Sequence, residues 1–266
     1  MPAVVRPDGD EVPIIAHVPH ASTVIPVDVR AELLISDDEL ADELLCLTDH
    51  FTDELFGGLS ELGATMFVND LSRLVFDPER FLDDSAEPMA PRGQGVVYWQ
   101  GSRGQLIREA SSRVRSRHVA ERYRPYHAAL DALVAERLVG ADECLVLDCH
   151  SFPSVPLPSE IDQAPDRPDV CIGTDERHTP PVLADVLEAA FRAEGFSVER
   201  NAPYAGTFVP SGYYGRDDRV RSVMIEVRRG LYMDEASGAR LAAFDDVRRA
   251  ITRAVAAAIG TPPLTR

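Results

Sequence analysis

The sequence predicts an α/β protein in which one open sheet carries helices on both faces. Apolar runs of strand length alternate with amphipathic segments of helix length, and no internal repeat or low-complexity block interrupts them. Hydrophobic residues make up 45% of the 266 residues and charged residues 27%, which suffices for a sizeable core. We therefore expect residues 1–266 to form a single three-layer domain.

Short apolar runs mark the expected strands. The first run, VPIIAHV at residues 12–18, ends at Pro19 and His20, as a buried central strand does when it meets a loop. A second run, CLVL in the strand expected at residues 143–147, leads into Asp148, Cys149 and His150. The remaining strands are expected at residues 63–68, 71–77, 169–173, 196–200 and 220–227.

Helical periodicity fills the gaps between these strands. Ser36 is a candidate N-cap for a long or broken helix that reaches Phe56, and residues 105–138 predict one or two helices with an interruption near Pro125. Residues 180–194 predict a helix that ends at Gly195, and a final helix is expected from Asp234 onward. The Pro- and Gly-rich loop of residues 78–104 is long enough to cover a site.

Charge and composition exclude several classes of function. The formal net charge is −17, which disfavours nucleic acid and anionic membranes as partners. All 27 basic residues are Arg, so a lysine Schiff base and a P-loop lysine are ruled out. No signal peptide or long apolar span is recognisable, so a cytoplasmic protein is expected, and the four Cys have no CxxC spacing and predict small buried residues.

Histidines at the ends of strands are the strongest candidates for chemistry. His20 and His150 both follow apolar runs, and ligands bind beyond the carboxyl ends of strands in open α/β sheets. A core histidine with a satisfied partner is the alternative for either residue, but two such histidines favour a metal site, with Asp148 as a carboxylate partner for His150. A catalytic zinc commonly takes two His and one carboxylate and leaves a position for water.

The acidic ligand stays open on spacing alone. The segment DHFTDE offers Asp49, His50, Asp53 and Glu54, and helical spacing would place Asp49 with Asp53 on one face. A solvated acidic helix face explains any one of them equally well.

Three further residues are candidates for binding and catalysis. Glu226 lies in the apolar run VMIEV, where it is either a general base or the partner of an Arg such as Arg228. Arg73 and Arg80 flank Asp77 and are candidates to bind a substrate carboxylate, although a structural bridge to Asp77 suits Arg73 better. Patterns typical of serine hydrolases, zincins and nucleotide-binding proteins are absent from the sequence.

Several segments together resemble the N-formylglutamate amidohydrolase family. They span most of the chain in family order, and the DCHS and YMDE segments are the most distinctive. The matching segments are VPHAS (18–22), LTDHFTDELF (47–56), SRLVFDPERF (72–81), YRPYHAAL (123–130), LDCHSFPS (147–154), DVCIG (169–173), and NAPYAGTF through YYG to IEVRRGLYMDE (201–235).

The resemblance implies a zinc carboxypeptidase-like or aspartoacylase-like fold, with a mixed sheet and one zinc ion. By motif, it implies His20, Asp49 and His150 as zinc ligands and Glu226 as the catalytic base. Arg80, with Arg73 in reserve, and Tyr214 of the YYG segment would bind substrate.

Two segments depart from the family pattern. Relatives carry a D-L-N-R run where this chain has Asp77-Pro78-Glu79-Arg80, and the extra carboxylate is expected to weaken binding of a dicarboxylate such as formylglutamate. Ala21-Ser22 stands where relatives often have Ser-Gly.

The expected activity is zinc-dependent hydrolysis of the amide bond of an N-formyl or other N-acyl amino acid, by a monomer or small homo-oligomer. Zinc would activate water, and Glu226 would carry its proton to the leaving amine. A catalytically idle, metal-containing binding module and a carboxypeptidase-like peptidase are the alternatives.

Overall fold

A computed structural model describes residues 2–260 of the chain. Their core is a seven-stranded sheet of order β1-β3-β2-β4-β7-β5-β6. The strands are β1 Ala3–Val5, β2 Ile14–Val18, β3 Thr65–Val68, β4 Cys144–Phe152, β5 Val170–Gly173, β6 Val198–Arg200 and β7 Val220–Arg228. The helices are α1 Val27–Arg30, α2 Asp37–Leu47, α3 Thr52–Leu55, α4 Ser112–His118, α5 Arg124–Val139, α6 Pro181–Ala193 and α7 Phe244–Ile259.

The sheet is mixed. Strands β3, β2, β4 and β7 run parallel, while β1 is antiparallel to β3 and β5 is antiparallel to β7. Alternate residues of the central strands pack on opposite faces, against α6 and α7 on one side and against α5 on the other. The predicted three-layer α/β architecture with a mixed sheet is therefore confirmed. The assignment of residues 1–266 to one domain stays a prediction, since Met1 and residues 261–266 lie outside the described part.

Residues 71–77 form turns and not the predicted strand. The Ser72 hydroxyl accepts a hydrogen bond from the Leu74 amide at 3.2 Å, and the Ser72 carbonyl accepts one from Val75 at 2.8 Å. Leu74, Val75 and Phe76 are nevertheless buried. These side chains are apolar because they pack into two hydrophobic clusters, and the segment does not pair with a neighbouring strand. An apolar pattern alone cannot distinguish this packing from that of a strand, so the prediction is wrong here.

Helix boundaries follow local chemistry closely where a cap is present. Ser36 and Glu39 form a capping box at the start of α2, as its sequence predicts. The predicted interruption near Pro125 is a π-helical turn, Val119–Tyr123, that joins α4 to α5 without breaking the rod. The first of these helices begins at Ser112 and not at residue 105.

The chain ends differ from expectation. β1 has no prediction from sequence, because its three residues are exposed on the sheet edge and show no alternation. The last helix begins at Phe244 and not at Asp234, because residues 234–239 first form a tight turn in which Gly238 adopts a positive φ of 73°. Among the described residues, none of the helices is long and apolar enough to cross a membrane.

Candidate active site

Sheet register brings the polar side chains of three strands to one face. His17 of β2 lies opposite Asp148 of β4, and His150 of β4 lies opposite Glu226 of β7. All four side chains point toward the α5 side of the sheet, the face that also carries Ile15 and Val146. His150 lies inside β4, not after its end as predicted, because β4 and β7 stay paired as far as Phe152 and Arg228.

His20 reaches the same place from the loop that follows β2. Its carbonyl accepts a hydrogen bond from the Asp49 amide at 3.0 Å, which joins the loop to the segment after α2. This segment leaves the helical conformation at Thr48, and Phe51 has a positive φ of 65°, uncommon for a bulky residue. The Phe51 ring packs against Phe244 and lies beneath the Arg240 guanidinium, contacts that hold this strained turn in place.

Three acceptor atoms converge between His20, His150 and Asp49. The two Nδ1 atoms of the histidines are 3.4 Å apart, and Oδ2 of Asp49 lies 3.1 Å from His150 Nδ1 and 3.7 Å from His20 Nδ1. Asp49 is thus the member of the acidic segment that contacts the histidines. Asp53 and Glu54 are exposed, and because the segment is not a continuous helix, the expected shared face of Asp49 and Asp53 does not exist.

The far nitrogens of both rings are bonded to carboxylates. His20 Nε2 donates to Oδ1 of Asp77 at 2.9 Å, and His150 Nε2 donates to Oδ1 of Asp148 at 3.0 Å. In a neutral imidazole a proton on Nε2 leaves Nδ1 as a bare acceptor. Both Nδ1 lone pairs and the Asp49 carboxylate then face one another with no donor between them, which is stable only with an added proton or a cation.

These two ring nitrogens and the carboxylate oxygen fit the ligand set of a divalent metal ion. Two nitrogens, each about 2.0–2.1 Å from a tetrahedral zinc, lie about 3.3 Å apart, close to the observed separation of the two Nδ1 atoms. The carboxylates of Asp77 and Asp148 stand where metal-bound histidines usually find their orienting partners. Glu79 is a second candidate acid, since its oxygens lie 3.7 Å from His20 Nδ1 and 3.1 Å from His150 Nε2.

The electrostatics of the site favour added positive charge. Burial lowers the pKa of His150, but the carboxylates of Glu79, Asp148 and Asp49 outweigh it and raise that pKa well above its usual value. Burial and Arg73 likewise oppose protonation of His20, yet Asp77 and Glu79 raise its pKa.

Glu226 has the environment expected of a proton-transfer group. Burial, together with the nearby Asp49 and Glu79 carboxylates, raises its pKa to about 8, and its Oε2 has no hydrogen-bond partner among the described residues. The alternative of an ion pair with Arg228 is not what the structure has, because the Arg228 guanidinium bonds Asp169.

Asp77 separates the two candidate substrate-binding arginines. Arg73 Nη2 lies 2.9 Å from Oδ2 of Asp77, which makes it a structural bridge, and Arg80 Nε lies 3.3 Å from the same oxygen. Arg80 also approaches Tyr98, whose hydroxyl donates to Asp77 at 2.7 Å. Because residues 71–77 are not a strand, Arg80 does not follow a strand end, but it lines the same cleft as the histidines.

The cleft above the histidines has a volume of about 790 Å³. His20, Asp49, His150, Glu226, Arg73 and Arg80 all line it, and so does Tyr214, which is 46% exposed. Every site residue expected from the sequence therefore reaches this one cleft. A single cleft of this size is typical of a small-molecule site.

Sequence reasoning missed two residues that hold the site together. Arg229 Nη2 lies 3.0 Å from Oδ1 of Asp49, and its Nη1 donates to the Cys46 carbonyl at 2.6 Å. His17 is fully buried between Asp148 and the Tyr126 hydroxyl, at 2.9 and 2.7 Å. A lone His in the apolar run IIAHV was the available signal for His17, whereas the pairing of Arg229 with Asp49 spans 180 residues and has no local signal.

Comparison with known proteins identifies the family. The profile of the N-formylglutamate amidohydrolase family matches residues 12–233. An N-formylglutamate deformylase of Pseudomonas aeruginosa is 30% identical over 252 residues, which cover 91% of this chain and 90% of the relative. A second, from Pseudomonas putida, is 27% identical and covers 84% of this chain and 82% of its own.

Solved structures agree with the sequence comparison. The crystal structure of an N-formylglutamate amidohydrolase from Ralstonia eutropha superposes with a TM-score of 0.83 at 26% identity, covering 98% of this chain and 99% of that one. An Agrobacterium tumefaciens gene product, at 23% identity and a TM-score of 0.66 over 96% and 94% of the two chains, shares the fold. The resemblance read from the sequence is confirmed, and the chain belongs to the N-formylglutamate amidohydrolase family of enzymes that cleave linear amides.

Proposed function

We propose that this protein is a zinc-dependent amidohydrolase that cleaves the amide bond of an N-formyl or other N-acyl amino acid. The observation that carries the proposal is the convergence of His20 Nδ1, His150 Nδ1 and Asp49 Oδ2 within 3.7 Å, with both far ring nitrogens bonded to carboxylates. Zinc held by these three residues would polarise the scissile carbonyl and activate water.

Glu226 serves as the general base in this proposal. Its register position beside His150 puts its carboxyl next to the candidate ligands, and its raised pKa suits a group that takes a proton from attacking water and returns it to the leaving amine. Oε2 of Glu226 has no hydrogen-bond partner among the described residues, which leaves this oxygen free for the task.

Arg80, Arg73 and Tyr214 would bind the substrate. The Arg80 side chain is 22% exposed and lines the cleft, so its guanidinium can donate hydrogen bonds to a carboxylate of the acyl amino acid. Arg73, which is bound to Asp77, acts as a second positive charge behind it. The Tyr214 ring lines the cleft beside Phe81, with ring centroids 6.2 Å apart, where it can contact the substrate.

The test is an assay of purified protein on N-formyl and other N-acyl amino acids after chelation and again after zinc is returned. We expect activity to disappear on chelation and to return with about one zinc per chain. Activity that is indifferent to the chelator would overturn the metal mechanism. Bound zinc without hydrolysis of any acyl amino acid would favour an idle binding module, and cleavage of short peptides alone would favour a peptidase. Cytoplasmic location and a monomeric or small homo-oligomeric state stay predictions.

A further inference from the structure

The charge of Glu79 bears on which amino acid the cleft accepts. We propose that the enzyme selects N-acyl amino acids whose side chain is uncharged and apolar, and discriminates against a second carboxylate such as that of N-formylglutamate. The inference rests on the proposed hydrolase function and adds the substrate class to it.

Glu79 places an additional carboxylate at the centre of the site. Its Oε1 lies 3.1 Å from His150 Nε2 and 3.6 Å from His17 Nδ1, and its Oε2 lies 3.7 Å from His20 Nδ1. No Arg side chain among the described residues forms an ion pair with it, and the cationic side chains that it contacts are the histidines His17, His20 and His150. A substrate bound against His20 and His150 therefore meets this charge at close range.

Each arginine that lines the cleft already contacts a carboxylate of the protein. Among the described residues that line it, three are Arg and eight are Asp or Glu. Arg229 holds Asp49 at 3.0 Å, while Arg73 and Arg80 share Asp77 at 2.9 and 3.3 Å. Arg80 can receive one substrate carboxylate, but no unpaired guanidinium is left for a second one. A second carboxylate would therefore lie near the Glu79 carboxylate with no unpaired arginine to bind it.

The mouth of the cleft is apolar. Phe81, Ile161 and Tyr214 line it and are 45, 61 and 46% exposed, so they offer apolar surface to a bound ligand. Phe81 directly follows Arg80 in sequence, so an apolar surface begins beside the guanidinium proposed to bind the substrate carboxylate. An apolar side chain of the substrate would bury this surface, whereas a charged one would not.

The experiment compares substrates that differ in one charge. kcat/KM is measured on the zinc-loaded enzyme for N-formyl-L-glutamate, N-formyl-L-glutamine and N-formyl-L-leucine, because glutamate and glutamine have nearly the same shape. We expect the glutamine substrate to exceed the glutamate substrate at least about tenfold, with leucine as good as glutamine or better. Equal or greater kcat/KM for the glutamate substrate would overturn the inference while leaving the hydrolase proposal intact. Failure to cleave any of the three, with zinc bound, would count against the hydrolase proposal itself.

A pair of variants tests whether Glu79 causes the preference for the glutamine over the glutamate substrate. Glu79→Gln keeps the shape and removes the charge, and we expect it to shift the glutamine-to-glutamate ratio by about tenfold toward glutamate. Glu109→Gln is the matched control, since it removes the same charge from an exposed residue that is not among those lining the cleft, and its ratio should equal that of the wild type. The zinc content of each variant is measured alongside. An unchanged ratio in a zinc-loaded Glu79→Gln protein would show that Glu79 does not set the preference.

Discussion

Asp77 fixes the orientation of the His20 ring. Oδ1 of Asp77 accepts a hydrogen bond from His20 Nε2 at 2.9 Å, so the opposite nitrogen faces His150. Burial opposes ionisation of Asp77, yet the positive charges of His20, Arg73 and Arg80 hold its pKa well below the usual range. The carboxylate thus stays charged and serves two arginines and a histidine at once.

Replacement of Asp77 should therefore weaken metal binding. In Asp77→Asn the side chain keeps its shape but loses its charge, and loss of such an orienting partner typically costs about 10- to 100-fold in metal affinity. Competition of the purified protein against a chromogenic zinc chelator measures the change. Asp84→Asn, on the exposed part of the same loop, is the control and should bind zinc as the wild type does. Equal affinities in the two variants would contradict the role of Asp77.

Arg229 should contribute far more to stability than its neighbour Arg228. Arg229 is 4% exposed and pairs with the buried Asp49, so Arg229→Gln leaves that buried charge to the two histidines and the more distant Arg73, at a cost of up to about 3–5 kcal/mol. Arg228 pairs with Asp169 in a half-exposed position, and Arg228→Gln should cost about 1 kcal/mol or less. Urea unfolding of the metal-free proteins gives both free energies, and similar losses would show that the Arg229–Asp49 pair is not special.

Glu226→Gln should abolish turnover and keep the metal. Removal of a positioned general base costs about 10²- to 10⁴-fold in rate, while the candidate ligands do not include Glu226. Steady-state kinetics and metal analysis on one preparation separate the two effects. If Glu226→Gln retained wild-type kcat, another group would have to be the base; if zinc were lost together with activity, Glu226 would be a ligand.

His127 should make the fold sensitive to mild acid. Burial lowers its pKa to about 4, while its Nε2 donates to the Pro78 carbonyl at 2.9 Å. Above the unfolded-state pKa of about 6.5, His127 is neutral in both states and does not affect the free energy of unfolding. As the pH falls from 6.5 toward 4, the unfolded chain binds a proton that the folded protein does not, so the free energy of unfolding decreases. The loss amounts to at most about 3 kcal/mol for this one group.

The variant His127→Gln isolates this effect, since Gln keeps an N–H donor and does not titrate. Free energies of unfolding at pH 7 and pH 4.5 should differ less in the variant than in the wild type. Identical pH dependence in both proteins would mean that His127 does not titrate as its burial implies.

Strands with complete apolar runs were predictable, because a strand that is buried on both faces has apolar residues at nearly every position. β2, β4 and β7 illustrate this, and so does the capped start of α2 at Ser36. Residues 71–77 have the same apolar composition and yet form turns, since a short sequence cannot say whether a partner strand is available. Exposed β1 carries no such signal at all.

Some residues of the candidate site were predictable from local sequence and others were not. His20, His150 and Glu226 follow or occupy apolar runs, so their residue type and position alone indicated a functional role. The choice of Asp49 over Asp53 depends on the break after Thr48 and the positive φ of Phe51, which spacing cannot reveal. The pairing of Arg229 with Asp49 and of His20 with Asp77 depends on contacts between distant segments.

One zinc ion should lie between His20, Asp49 and His150. Crystals of the zinc-loaded protein, measured on both sides of the zinc absorption edge, test this directly. We predict a single strong anomalous peak about 2.0–2.2 Å from both Nδ1 atoms and from Oδ2 of Asp49. A fully loaded protein whose peak lies elsewhere, or a peak in contact with Glu79 and distant from Asp49, would contradict the assignment.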